Sequence, residues 1–505
     1  MSRPQTEQGG DRPARRPSGW LAGLALSLTG PGSPGCTQQC TGPGCDNSFN
    51  AAAISAQLGA ELPPRGALSP LDGWSLLRGG TDLGPNLSVL LQPGALWLGV
   101  PKLGAVTRIS ARAGSRELSA LPEASILSSR SGDSFGEEIT TLPDLDGDGE
   151  DELVVASPRW SRSDTTRQGG AVHVFSGLRA PPAAGLSQQD ALLRVEGAEN
   201  GARFGTSVAG CPDIDGDGLG ELLVGSPWAD GAAGLEGAAT LLLSTELLGA
   251  PSPIDAGAVG RRWTGGGVGA AAGSAVSCAH DLIGDSAPDL VIAAPFADGD
   301  HEAEGAVWVL DGGALPDSGP LPETGALRIA GTVADGWAGW ALSTGDVDGD
   351  GSADLAIGQP GAPEAAAAYG APAAGQVLLF DGAALRDRGL TVPRVRVRAE
   401  AEGDALGRAL ALADLNGDGF AELLIGAPRR NPKQGSLEFF DSGALYLFYG
   451  ATRWLGLRPE VQAEEADIVY ATSQQYLRAG QRISIGDLDE DGLLDFAILQ
   501  RTEAD

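Results

Sequence analysis

In the stretch PDLDGDGEDELVVASP, Asp144, Asp146 and Asp148 alternate, Gly149 follows at once, and Glu152 stands eight residues after Asp144. A tight loop with this spacing turns three short carboxylates inward and adds a fourth acid after a glycine-permitted turn. The backbone carbonyl of Glu150, at the seventh position, can complete an all-oxygen cage, and such a cage suits a hard cation such as Ca²⁺. The β-branched run LVVA comes next and Pro158 stops it, so the loop leads into a strand. An EF-hand is excluded, because its twelfth-position Glu is missing and strands stand where its helices would be.

The same loop recurs. Full versions start at Asp144, Asp213, Asp346, Asp414 and Asp487, and a worn one at Asp281, with separations of 69, 68, 65, 68 and 73 residues. A proline follows the first aspartate by fourteen residues in five of them: Pro158, Pro227, Pro295, Pro360 and Pro428. A glycine precedes each loop, at Gly136, Gly205, Gly273, Gly339, Gly407 and Gly480. The worn loop DLIGDSAPD has Ile283 at its third position and Ser286 in place of the glycine, and with too few oxygens it is expected to bind no cation.

Positioning these loops requires strands. Around Asp144 the unit reads as FGEEITTL, ELVVAS, GAVHVFSG and ALLRVEG, and the third of these recurs as GAVWVLDG, GQVLLFDG and GALYLFYG. Four antiparallel strands per unit of about this length mark a β-propeller blade. Before the first loop, residues 87–110 match three strands joined by a QPG turn in place of a metal loop, and make a calcium-free first blade. At the far end, residues 482–500 supply only two strands, and a two-stranded fragment with open edges needs completion. GWSLLRGG, at 73–80, is the expected completing segment. The count is seven blades, or six if residues 87–110 merely join the final sheet.

The net charge of −32 opposes binding to nucleic acid, whose phosphates it would repel. No apolar run is long enough to span a bilayer as a helix. Residues 1–35 combine early arginines with the short apolar run WLAGLALSLTG and read as an export segment, against the alternative of a structureless leader. Ser33-Pro34-Gly35-Cys36 resembles a lipoprotein cleavage box, with Cys36 the residue to be lipidated and the membrane reached only through that anchor. Residues 36–66 read as a tether and 67–505 as the propeller. Cys40 and Cys45 form a candidate disulfide in an oxidising compartment. So do Cys211 and Cys278, which precede adjacent loops, with two buried free thiols as the alternative.

FGTSVAGCPDIDGDGLGELLVGSP, at 204–227, resembles the FG-GAP repeat of the integrin alpha-subunit propeller and its bacterial relatives, and the likeness runs from about Leu87 to Gln500. The phenylalanine survives only at Phe135 and Phe204, with Ala272, Ala338, Leu406 and Ala479 in its place elsewhere. The resemblance implies a seven-bladed ring with calcium hairpins between the first two strands of certain blades, and a ligand surface on the opposite face.

Carried over, it implies about five structural calcium sites. Their side chains are Asp144, Asp146, Asp148 and Glu152; Asp213, Asp215, Asp217 and Glu221; Asp346, Asp348, Asp350 and Asp354; Asp414, Asn416, Asp418 and Glu422; and Asp487, Asp489, Asp491 and Asp495. The carbonyls of Glu150, Leu219, Ser352, Phe420 and Leu493 are the seventh ligands. On the opposite face, Trp160, Trp228, Phe296, Trp337, Phe439 and Phe440 are contact candidates, against packing between blades as the alternative.

Three scattered histidines and no nucleophile motif argue against an enzyme. The expectation is therefore an exported adhesion or ligand-binding module at the cell surface or in the periplasm, its partner a surface protein or glycan. A structural scaffold is the alternative, a hydrolase a more remote one, and the oligomeric state is left open.

Overall fold

Ile139–Leu142, a first strand, is half-buried, whereas the second and third strands beside it, Glu152–Ser157 and Ala171–Phe175, are buried throughout. That pattern follows from blades standing around a channel: the innermost strand faces the lumen and the middle strands are covered on both sides. The computed structural model describes Gly23–Leu28, Gly66–Leu68 and Ser75–Gly79, then most of residues 87–501. Left out of that range are 111–123, 163–166, 177–185, 362–373, 451–457, 472–475 and several single or paired loop positions.

Six antiparallel blades are built from contiguous chain. The first comprises Ser88–Gln92, Ala95–Val100, Ala105–Ser110 and Ala124–Leu127, so residues 87–110 form a blade of their own. The second comprises Ile139–Leu142, Glu152–Ser157, Ala171–Phe175 and Leu193–Glu196, all within the expected stretches. The third, fourth, fifth and sixth repeat the order, with inner strands Ser207–Cys211, Ala275–Cys278, Leu342–Gly345 and Ala409–Ala413.

A seventh sheet pairs Arg482–Gly486 with Asp495–Arg501 and is completed by N-terminal chain. Gly23–Leu28 runs parallel to Asp495–Arg501, and Ser75–Gly79 runs parallel to Gly23–Leu28 at the edge. The 73–80 segment thus lies one strand further out than the position beside Asp495–Arg501. Gly23–Leu28, inside the stretch read as an export segment, takes that inner place.

The core is divided among the seams between sheets. Trp97, Ile126, Phe135 and Phe175 fill the seam between blades one and two. Leu91, Leu96, Ala497 and Leu499 fill the one between the seventh sheet and blade one, which closes the ring. Two devices tie the seams. The glycine that opens a third strand has φ +91° at Gly170, and a Cβ there would stand 2.1 Å from the Phe204 carbonyl oxygen of the next blade. The same bridge recurs as Gly237 with Ala272, Gly305 with Ala338, Gly375 with Leu406 and Gly443 with Ala479, so this glycine is what lets neighbouring backbones touch.

The second device covers outer edges. The connection between strands three and four of one blade sends a short strand back, parallel, to the previous blade. Leu186–Ser187 reaches Ala124–Leu127, Ile254–Asp255 reaches Leu193–Glu196, and Glu460–Gln462 reaches Val395–Arg398. An exposed edge is an aggregation template, and this pairing removes it.

Candidate functional site

The loop between strands one and two is pinned by its last acid. Leu145 N–H donates to Glu152 Oε2 at 2.6 Å, Ile214 N–H to Glu221 Oε2 at 2.8 Å, and Val347 N–H to Asp354 Oδ2 at 3.0 Å. Leu415 and Leu488 make the same bond to Glu422 and Asp495, at 2.9 and 3.0 Å. The first aspartate then gathers the turn: Asp213 accepts from the N–H groups of Gly216, Asp217 and Gly218 at 2.6, 3.1 and 2.8 Å. The fifth-position acid accepts from the seventh N–H, as in Glu150 to Asp148 at 2.8 Å and Leu219 to Asp217 at 2.9 Å.

Four of the five full loops bring carboxylate oxygens within 4.8 Å of one another. The groups are Asp213, Asp215, Asp217 and Glu221; Asp144, Asp146 and Asp148; Asp346, Asp348 and Asp354; and Asp487, Asp489 and Asp495. The Asp414 loop has an amide at Asn416, whose Nδ2 donates to Glu422 Oε1 at 3.0 Å. In the Asp346 loop, Arg394 binds Asp348 and reaches Asp381 at 2.9 Å, so a guanidinium already neutralises part of that group.

Electrostatics show what such loops lack. Glu152 and Glu221 are fully buried, and the Oε1 atom of each has no hydrogen-bond partner. Burial first, and the neighbouring aspartates after it, push both carboxyls up to about 7. Asp354 and Glu422 are likewise raised to about 7, again mainly by burial. A buried carboxylate facing other carboxylates is costly unless a cation joins it, and the orphaned oxygens fit one.

The worn loop keeps part of this architecture. It keeps the same pin, with Leu282 and Ile283 N–H groups donating to Asp289 Oδ2 at 2.6 and 2.9 Å. It also gathers Asp285 and Asp289 with Asp311, which follows the third strand and lies outside the loop motif. Burial first, and then a hydrogen bond with Asp285, raises the Asp311 carboxyl.

On the opposite face the aromatic candidates divide. Trp160 is a packing residue, 3% exposed, with Arg130 and Arg194 stacked over its ring at 4.4 and 4.9 Å. Its place in the seam beside His173 removes it from the contact surface. Trp228 and Phe440 are exposed. Phe296 and Trp337 meet each other and Trp340, which sequence reasoning missed, at centroid distances of 5.8 to 6.1 Å. Only its place directly after the recurring Gly339 could have singled Trp340 out. Phe439, Cys36, Cys40, Cys45 and His280 lie outside the described residues.

Cys211 and Cys278 are joined in a disulfide, Cα to Cα 5.1 Å, linking the inner strands of blades three and four. His173 is buried, and desolvation together with Arg194 lowers it to about 3, so it is neutral and packed. Among the described residues no helix is long and apolar enough to cross a membrane.

The FG-GAP repeat family matches residues 135–175, 204–242, 338–380 and 406–448, which are blades two, three, five and six from the recurring glycine turn to the third strand. The chain carries FG-GAP repeats. The units left unmatched by that family are the first blade, the worn fourth blade and the seventh sheet, whose third strand comes from the N-terminal chain.

Integrin alpha-PS2 of Drosophila melanogaster is 30% identical over 159 residues, 30% of this chain and 11% of that protein. Human phosphatidylinositol-glycan-specific phospholipase D is 27% identical over 384 residues, 70% of this chain and 41% of that protein. Among solved structures, a chain of Kuenenia stuttgartiensis hydrazine synthase matches 80% of this chain and 90% of its own, with 10% identity and a TM-score of 0.42. The FG-GAP chain thus covers less than half the length of these two curated relatives. The likeness to integrin alpha subunits makes it an integrin-alpha-like propeller.

Proposed function

We propose that this chain is an exported, calcium-stabilised FG-GAP propeller that binds a protein or glycan at the cell surface. The observation that carries the metal is the orphaned Oε1 of Glu152 and of Glu221, each buried in a loop already lined with aspartates. Asp144, Asp146 and Asp148, Asp213, Asp215 and Asp217, and their counterparts would hold the ion. A bound Ca²⁺ supplies the positive charge these loops lack. Extracellular modules hold calcium at roughly 10⁻⁴ to 10⁻³ M. At about ten times the dissociation constant each site adds about 1.4 kcal/mol, so several together rival the stability of a domain.

Binding, in preference to catalysis, is supported by how the titratable groups are used. The acids are spent on the hairpins, His173 is buried and neutral, and His301 sits in a different blade. Elemental analysis after dialysis against calcium should find about five ions per chain. Capture of surface proteins or glycans by the calcium-loaded protein, lost with chelator, supports the binding role. Turnover of a phospholipid or polysaccharide, or absence of bound calcium, would overturn the reading.

A further inference from the structure

Arg408 and Trp340 occupy equivalent places, each directly after the recurring glycine of its blade, Gly407 and Gly339. Both stand where an inner strand begins, at the channel mouth opposite the acidic hairpins. The Arg408 guanidinium lies 4.1 Å from the Trp340 ring centroid. Among the described residues no carboxylate pairs with it. The charged groups that bear on it are Arg429 and Arg482, both cationic, and they add to burial in lowering it to about 10. Arg482 is itself paired with Glu138 at 2.6 Å. In a protein of net charge −32, a half-buried arginine flanked by arginines and, among the described residues, without a carboxylate partner is out of keeping with its surroundings.

Beside it, Trp340 continues into Trp337 and Phe296, and all three are only partly buried. Trp337 holds φ +59°, a left-handed conformation that costs a bulky residue about 1 kcal/mol. The equivalent positions in other blades carry Ser134, Arg203, Ala271, Ala405 and Arg478 in the same conformation. The conformation thus belongs to the repeat, and in this blade the residue that fills it is a partly buried tryptophan. Trp and Arg are the residues that most often anchor an interface.

We propose that Phe296, Trp337, Trp340 and Arg408 form a docking site for a partner-protein loop that presents one acidic side chain beside an apolar one. The carboxylate meets Arg408 and the apolar group lies on the aromatic trio. A single carboxylate is favoured over a polyanion. The field of the whole protein repels extended negative charge, while one carboxylate at the mouth feels mainly the guanidiniums within a Debye length of about 8 Å. This site deepens the binding role proposed above and depends on it.

The test uses the calcium-loaded full chain and two disulfide-closed peptides, one with Leu-Asp at its tip and the other with Leu-Asn. The Asp peptide should bind saturably and about tenfold more tightly than the Asn peptide, as expected when one partner of a hydrogen bond loses its charge. R408Q should abolish that preference with melting temperature and calcium content unchanged, W340A should weaken both peptides, and R159Q should change nothing. Equal affinity for the two peptides, a preference surviving R408Q, no saturable binding, or binding of oligogalacturonate in place of the peptides would each overturn the site. Surface-ligand capture that persists in R408Q overturns the site and leaves the binding role standing. Absence of any capture by the wild type overturns the role itself.

Discussion

Stripping the protein of divalent ions should reverse the sign of its pH-dependent stability. Without metal, the carboxyls of Glu152, Glu221, Asp354 and Glu422 titrate at about 7 in the fold, against ordinary values of 4.5 for Glu and 3.8 for Asp. Folded-state values above unfolded ones mean that the fold binds the extra proton. That contribution is fully present below about pH 4 and is lost as pH rises through about 7. A rise of this size corresponds to on the order of 3 kcal/mol per group at 1.36 kcal/mol per unit, and four groups together rival a domain's whole stability. With calcium bound the same oxygens must be ionised to serve as ligands, so protons compete with the metal and stability falls on acidification. Melting followed by circular dichroism, on resin-stripped protein and on protein in about 10 mM calcium, well above the expected dissociation constants, should give slopes of opposite sign between about pH 5.5 and 8. Parallel profiles, or a metal-free protein that is most stable above pH 7, would refute the reasoning.

Glu221→Gln removes the buried charge together with a ligand. It should raise the melting temperature of the stripped protein, lower that of the calcium-loaded protein, and reduce bound calcium by one ion in elemental analysis. Gly170→Ala drives a Cβ against the Phe204 backbone at left-handed φ and should cost more than about 3 kcal/mol. Gly249→Ala, which meets nothing within 4 Å, serves as its control in denaturant melts. Cys211→Ala should lower stability by about 4 kcal/mol on chain-entropy grounds, since the bridge closes a 67-residue separation. Reductant should shift the wild-type melt by the same amount and leave the variant unmoved.

Read in order, the chain already carried its repeat, its hairpins and the identity of each blade's strands, because all of these are local. Alternating aspartates need only neighbouring residues to turn inward, and Glu221 reaches back merely to the Ile214 N–H. The glycine opening each third strand was legible as a recurrence, but its reason, the backbone of the next blade at Phe204, appears only when blades stand side by side.

Tertiary structure alone decided what blades do to one another. It buried Trp160 under two arginines, joined Cys211 to Cys278, brought Asp311 to the worn loop of its blade, and seated Arg408 on Trp340. It also set Gly23–Leu28 between Asp495–Arg501 and Ser75–Gly79. Most of these contacts join residues from different blades, and covering both faces of every middle strand erases the alternation that would otherwise tell an inward side chain from an outward one.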